Sequence, residues 1–369
     1  MKRFISLMLL SLTLTAHAQS VDNYVANYCV RYERQHLFLQ KDSDLNVVDY
    51  DLEWPDIINF NDVMPLKRYI SKLLLGVSTS SVDSVVMVIN RRMGDPVTKQ
   101  FKEIPDDRRF CYADFKAQIL SYVPNRFIAY RISASVKPES LSGQAKYNAE
   151  RYVLYDINNQ KILEPDDILS PAVVNRYEPQ DFYNQLFAPL GDYFDDMVKC
   201  DITGVWLDVQ NICFHVVAVT SDQIINYDIK MPYQNYSYVL DRKVRRVMEK
   251  KPNLISPSLD LTRQTWHGDT IYNKVESMPV FPGGGEGMQQ YLSHVAKPEF
   301  AQSSVMKVMM SYVVDRDGRV GDVCVVGPVS PELDRHAAFV VRGMPRFTPG
   351  RQNGRPLCVR LYLPMVYRP

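Results

Sequence analysis

The residue types that could do chemistry are present, but their spacing supports little of it. Asp42-x-Asp44-x-Asn46, with Glu53 eleven positions after Asp42, has the oxygen spacing of a calcium loop. Val47 stands at the sixth position, where that loop needs glycine, and a β-branched residue resists positive φ. The acids therefore read as solvent-facing groups beside a strand. His36, His215, His267, His294 and His336 are scattered, with no His-Glu-x-x-His and no pair at helical ligand spacing. Cys29, Cys111, Cys200, Cys213, Cys324 and Cys358 include no Cys-x-x-Cys, which argues against zinc and thioredoxin-like sites. Buried free thiols and disulfide bridges both stay open for them. Gly283-Gly284-Gly285-Glu286-Gly287 could show N–H groups to an anion, yet no Walker Lys-Ser/Thr or dinucleotide spacing follows, and a flexible loop is the reading. No Gly-x-Ser-x-Gly elbow occurs. Binding rather than catalysis is expected, with no cofactor and no metal.

Composition sets the frame for that expectation. The chain has 369 residues, 46% hydrophobic and 23% charged, which is enough apolar surface to offset chain entropy and exclude disorder as the dominant state. Lys2 and Arg3, the apolar run Phe4 to Leu14 and Ala16-His17-Ala18 form the three-part layout of a secretory signal, with cleavage expected after Ala18. Removing Lys2 and Arg3 with that segment leaves 41 bases against 42 acids, so binding to nucleic acid has no bulk electrostatic support. No later run of 18 apolar residues appears, so a periplasmic chain without a membrane span is expected.

The elements that must position any site follow from periodicity. From 19 to 248 the chain reads as a mixed α+β domain of sensor or ligand-binding type. Residues 47–53 read as a strand. Leu66, Tyr69, Ile70, Leu73 and Leu74 form one helical face that Gly76 stops. Val82, Val85, Val86 and Ile89 suggest a second helix, with a strand as the alternative because of its β-branched content. Strands are expected near 114–123, 127–136, 149–157, 212–220 and 223–230, a helix over 181–198, and a basic helix over 236–248 whose Lys243, Arg245 and Arg246 form a solvated face. Residues 249–276 read as a linker.

Residues 277–369 are the most regular part. Met288, Tyr291, Leu292 and Val295 make an amphipathic helix. Residues 305–314 alternate as a strand, and Asp317-Gly318 supplies the positive φ of a tight turn into Arg319–Val326. Met309 and Val313 make that strand's outer face partly apolar, so a partner surface or packing against the first domain is expected there. Ser330 is the N-cap and Pro331 the first residue of a helix whose stripe is Leu333, Ala337, Val340, Val341 and Met344. A last strand runs from Leu357 to Tyr367, with Val359, Leu361 and Leu363 expected inward and Arg360 and Tyr362 outward. The fold class is α+β in two domains, the second a three-stranded antiparallel sheet with two helices.

Met278-Pro279-Val280-Phe281-Pro282-Gly283-Gly284, Val313-Val314-Asp315-Arg316-Asp317-Gly318, Met344-Pro345-Arg346-Phe347-Thr348-Pro349-Gly350-Arg351-Gln352-Asn353-Gly354 and the strand Val359 to Pro364 together resemble the C-terminal domain of TonB-type energy transducers. The resemblance implies docking of an extended peptide of an outer-membrane or other periplasmic protein by strand addition, with Val359, Arg360, Leu361, Tyr362 and Leu363 as partner-binding residues. Lys297-Pro298-Glu299 and Ser303-Ser304 depart from the family pattern, and the anchor and Pro-rich spacer of a force transducer are missing. More loosely, Tyr152 to Ile157, Lys161-Ile162-Leu163 and Asp166-Asp167-Ile168-Leu169 resemble the domain of unknown function in ectodomains of lysozyme-sensing anti-sigma factors. The alternative function is a cell-envelope enzyme or glycan-binding protein with its site in the first domain. A homodimer paired through last strands is a third reading.

Overall fold

The structure is a computed structural model of the chain and describes residues 28–41, 44–58, 62–96, 110–123, 125–138, 147–174, 180–194, 197–249, 264–295 and 305–368. The expected signal segment, Asp42 and residues 250–263 of the expected linker lie outside these. Among the described residues, no helix is long and apolar enough to cross a membrane.

In chain order the elements are β1 (Tyr28–Lys41), β2 (Asp44–Ile58), α1 (Met64–Leu75), α2 (Val82–Met93), β3 (Asp95–Pro96), β4 (Phe110–Val123), β5 (Phe127–Pro138), β6 (Tyr147–Asp156) and β7 (Lys161–Leu163). The short helices α3 (Pro165–Ile168) and α4 (Pro171–Val174) follow, then α5 (Gln180–Phe187), β8 (Met197–Leu207), β9 (Asn211–Thr220), β10 (Ile224–Pro232), α6 (Tyr233–Tyr236) and α7 (Arg242–Glu249). The remainder is β11 (Thr265–Trp266), β12 (Asp269–Tyr272), α8 (Gly284–Val295), β13 (Met306–Val314), β14 (Val320–Gly327), α9 (Pro331–Arg342), β15 (Gly350–Gln352) and β16 (Arg355–Tyr367).

The chain is α+β and mostly sheet, in two compact units. The terminal unit takes Met1–Tyr32, Pro55–Asp62 and Leu254–Pro369; the middle unit takes Glu33–Trp54 and Val63–Asn253. This departs from the expected boundaries, which gave all of 19–248 to one domain. The first strand carries charges at Arg31, Glu33 and Arg34 that hide it from a hydrophobic-period reading, and its start ladders with residues almost 300 positions away.

In the middle unit, β2 and β4 pair in parallel, and β4, β5, β6 and β7 continue antiparallel. Asn125, at φ 59, turns the chain between β4 and β5, a backbone region that Asn tolerates better than most residues. On α1, Leu66, Ile70 and Leu74 are buried, and Gly76 ends the helix in the left-handed region, its N–H donating to Lys72 O at 2.7 Å. Burying each such side chain is worth roughly 1.5–3 kcal/mol. A second sheet, β8–β9–β10, shares one core with the first: Phe127, Leu154, Phe182, Trp206, Phe214 and Met231 belong to the same cluster. The helix expected over 181–198 stops at Phe187, because a 3-10 segment follows in which Gly191 leaves helical geometry at φ 50. The basic helix expected over 236–248 starts only at Arg242.

In the terminal unit, β14, β13 and β16 lie side by side, antiparallel. The sheet does not stop at three strands. Val30 and Arg31 of β1 pair with Val325 and Cys324, β12 joins β16 in parallel, and β15 forms a hairpin with β16 through Asn353-Gly354 at φ 50 and φ 73. The β11–β12 hairpin, turning at His267 and Gly268 with positive φ, lies inside the span expected as linker. Between β13 and β14, Asp315 Oδ1 accepts from the N–H groups of Asp317 (2.8 Å) and Arg319 (2.7 Å), which closes the turn. Ser330 Oγ accepts from Leu333 N–H at 3.3 Å, the cap read from the sequence, and the stripe of α9 packs on β13 and β14.

Candidate docking rim and the charge network beside it

The candidate rim is the side of β16 turned away from β13. Met309 pairs with Pro364, and a proline cannot complete the two-way exchange of a hydrogen-bonded antiparallel pair. That register turns the backbone groups of Leu361, Leu363 and Met365 toward β13 and those of Tyr362, Pro364 and Val366 toward the rim. Ile271 and Tyr272 pair with Cys358 and Val359, and β15 pairs with Arg355 to Leu357. Among the described residues, the only ladder on β16 beyond Val359 is the one with β13.

Two of the five expected contact residues need correction. Val359 is laddered on both sides, to Val314 and to Tyr272, so it is no part of an open rim. Arg360 was expected outward because polar residues alternate with Val359 and Leu361; instead it is 2% exposed. Its guanidinium donates to Ser311 Oγ at 2.9 Å and to Asp322 Oδ2 at 2.8 Å. Leu361 and Tyr362 are half-buried and Leu363 is buried, so that part of the rim offers main chain more than side chain. Tyr362 packs on Cys29, Met309, Cys324 and Val326, while Val313 lies with Trp266, Ile271 and Cys358. The outer face of β13 is thus occupied by the chain's own residues.

A bulge builds the charge network. The β13–β14 register shifts between Ser311 and Val313, and opposite that shift Asp322 adopts φ 44. Gly321 and Asp322 then share a face. The Trp266 ring lies over Gly321, where an added Cβ would stand 2.2 Å from it, and Asp322 meets Arg360 and, at 3.5 Å, Arg31. Arg31 is also paired with Asp56. Burial works to lower the Arg31 pKa, but Asp56, Cys324, Asp322 and Cys29 outweigh it, and the group is held above its ordinary value. Sequence reasoning missed this network. A lone charge inside the apolar runs of β14 and β16 was the available signal, and Arg31 lies among other charges on β1.

On the other face, Tyr367 ends β16 against α9, its hydroxyl 3.0 Å from His336 Nδ1. Burial lowers the His336 pKa below its ordinary 6.5, only partly offset by a backbone hydrogen bond with Val295. The unfolded chain therefore binds a proton at a higher pH than the folded one. Stability is expected to fall as pH drops through about 6.5, and the loss levels off below the folded value. Urea midpoints between pH 7.5 and 5.5 should show this slope, and His336→Gln should flatten it.

The middle unit holds a cavity of about 680 Å³ between β8 and the helices α3, α4 and α5, lined by Leu169, Val173, Leu186 and Val198 with Asp166 and Lys199. Elsewhere in that unit His215 Nδ1 lies 2.6 Å from Asp228 Oδ1, and the Tyr152 ring stacks on both His215 and Trp206. Gly204 permits that stack, since a Cβ there would meet the Tyr152 ring at 2.4 Å. His36 pairs with Asp49; in the terminal unit the His267 ring centroid lies 4.4 Å from that of Trp266, and His294 Nδ1 lies 2.8 Å from Gln290 O. Of the calcium-like set, Glu53 is buried and accepts from Ile119 N–H at 2.7 Å, and Asn46 donates to Met93 O, so both are committed to the fold.

A mostly antiparallel sheet, with α9 packed on β13 and β14 and β16 as its long last strand, makes the terminal unit an α+β module. Residues 305–369 match the family described as Gram-negative bacterial TonB protein C-terminal, the one its motifs resemble, and this domain type points to an interaction role in the cell envelope. A crystal structure of a DUF3298 family protein from Pseudomonas aeruginosa PAO1 is similar at 14% identity, covering 58% of this chain and 96% of that chain with a TM-score of 0.37. A likeness that loose carries no functional argument. None of the curated proteins compared with the chain matches it.

Proposed function

We propose that the protein is a periplasmic binding protein whose terminal unit docks an extended peptide, from an outer-membrane transporter or another envelope protein, by strand addition along β16. One coincidence carries the reading: the family match covers the strand whose second described ladder ends at Val359. Main-chain groups spaced about 3.3 Å per residue would supply affinity, and side chains beside Tyr362 and Val366 would select sequence. Pro364 leaves a gap in the donors, which also guards such a strand against indiscriminate pairing. No catalytic step is assigned.

The test is binding of the full chain to synthetic peptides from the periplasm-facing segments of outer-membrane transporters. Val366 is 44% exposed and its N–H points to the rim, so Val366→Pro removes one donor with little loss of packing. We expect Val366→Pro to weaken binding at least about tenfold while Val366→Ala leaves it nearly unchanged. A folded chain that binds none of the peptides sinks the reading. The cavity beside β8 favours a second reading, a ligand site in the middle unit. Binding abolished by Leu186→Trp but untouched by Val366→Pro would move the function there.

A further inference from the structure

We propose that Cys29 and Cys324 form a redox-sensitive disulfide that fastens the chain's own first strand to β14, the rim of the module opposite β16. The register places Arg31 across from Cys324, so Cys29 lies two residues along β1 on the same face of the sheet. Cys29 and Cys324 are 1% and 2% exposed, and their sulfurs, with a carboxylate oxygen of Asp56, all lie within 4.8 Å of one another. The two thiols also share a hydrogen bond that, with burial, pushes the Cys324 thiol well above its ordinary value. The closed Cys324 thiol is therefore protonated and slow to react, and both cysteines are buried, so oxidation awaits a local opening of β1. Only two rungs, Val30 with Val325 and Arg31 with Cys324, hold this end of β1 to β14 among the described residues, so that opening involves a short ladder.

The same three groups could be read as a metal site. Asp56, however, is engaged by the Arg31 guanidinium, whose charge opposes a bound cation, and a structural zinc wants four ligands. The thiol pair needs neither. The step is exchange with a small-molecule or protein disulfide, RSSR. One cysteine thiolate attacks a sulfur of RSSR, forming a mixed disulfide and releasing RS⁻. The second thiolate then attacks the bound cysteine sulfur and releases the other RS⁻. The two cysteine protons end on the two leaving thiolates, two RSH are formed, and the cysteines lose two electrons. An export signal such as residues 1–18 provide would deliver the pair to a compartment rich in such oxidants.

The experiment uses the full chain, incubated natively with glutathione disulfide, then unfolded, alkylated and digested without reduction. The expected result is a cross-linked peptide pair joining residues 29 and 324. Amide exchange at Val30 and Val325 should be at least about tenfold slower than in the dithiothreitol-treated protein. Cys29→Ser should lose both effects. If that variant fails to fold, the peptide map of the unmodified chain still decides. Recovery of both cysteines alkylated after oxidation, their pairing with other cysteines, or thiols released for alkylation only by a zinc chelator overturns the proposal.

Discussion

Asp322→Asn should destabilise the terminal unit by about 3–5 kcal/mol, more than any single hydrogen bond in it is worth. The substitution keeps the side chain's shape but leaves Arg360 facing Ser311 and a neutral amide, and it takes from Arg31 one of its two carboxylates. Asp322 and both arginines are buried, so water cannot take over the lost interaction. The effect should be read as faster hydrogen exchange across β13, β14 and β16 and as a lower urea midpoint for that unit, with the middle unit's transition followed separately. The double variant Asp322→Leu/Arg360→Met should cost less than the sum of its parts, because the two charges it removes interact directly with each other. Additive costs would mean that the ion pair does not couple the strands.

Gly318→Ala is the second large effect expected, at about 3 kcal/mol. Gly318 has φ +81, and a Cβ placed on it would stand 1.9 Å from Phe347 O and 3.0 Å from Phe347 C, backbone atoms that cannot move aside alone. The two segments are tied by Phe347 N–H donating to Gly318 O at 2.8 Å, so relief of the clash breaks that bond as well. Gly354 is the control. Its φ is +73, but a Cβ there meets nothing within 4 Å, so Gly354→Ala should cost only the left-handed penalty of about 1 kcal/mol. Equal costs at the two sites would show that backbone conformation alone matters and that the hairpin turn does not bear on Phe347. A thermal unfolding series of the two variants makes the comparison.

The segments that legibly announced themselves are those governed by near neighbours. Ser330 and Pro331 begin α9, and Asp317-Gly318 turns β13 into β14, each through local backbone geometry that a few residues determine. The helix over Val82–Met93 also follows its apolar period, although three valines made a strand the competing reading. Gly191 was passed over, because a glycine inside an amphipathic pattern is tolerated as often as it breaks the helix.

By itself the amino-acid order determined the start of α9, the turn between β13 and β14 and the family that residues 305–369 resemble, but it read Gly283 to Gly287 as a flexible loop where α8 already begins at Gly284. Tertiary structure alone decided what covers each face and rim. It brought Arg31 and Asp56 onto the sheet beside Asp322 and Arg360, buried an arginine that alternation assigned to solvent, and laid β12 along Val359. Periodicity reports which side of a strand a residue occupies, and it is silent on whether water or a distant segment waits there. That outcome depends on contacts between residues hundreds of positions apart, whose charges and shapes find each other only once the chain has closed.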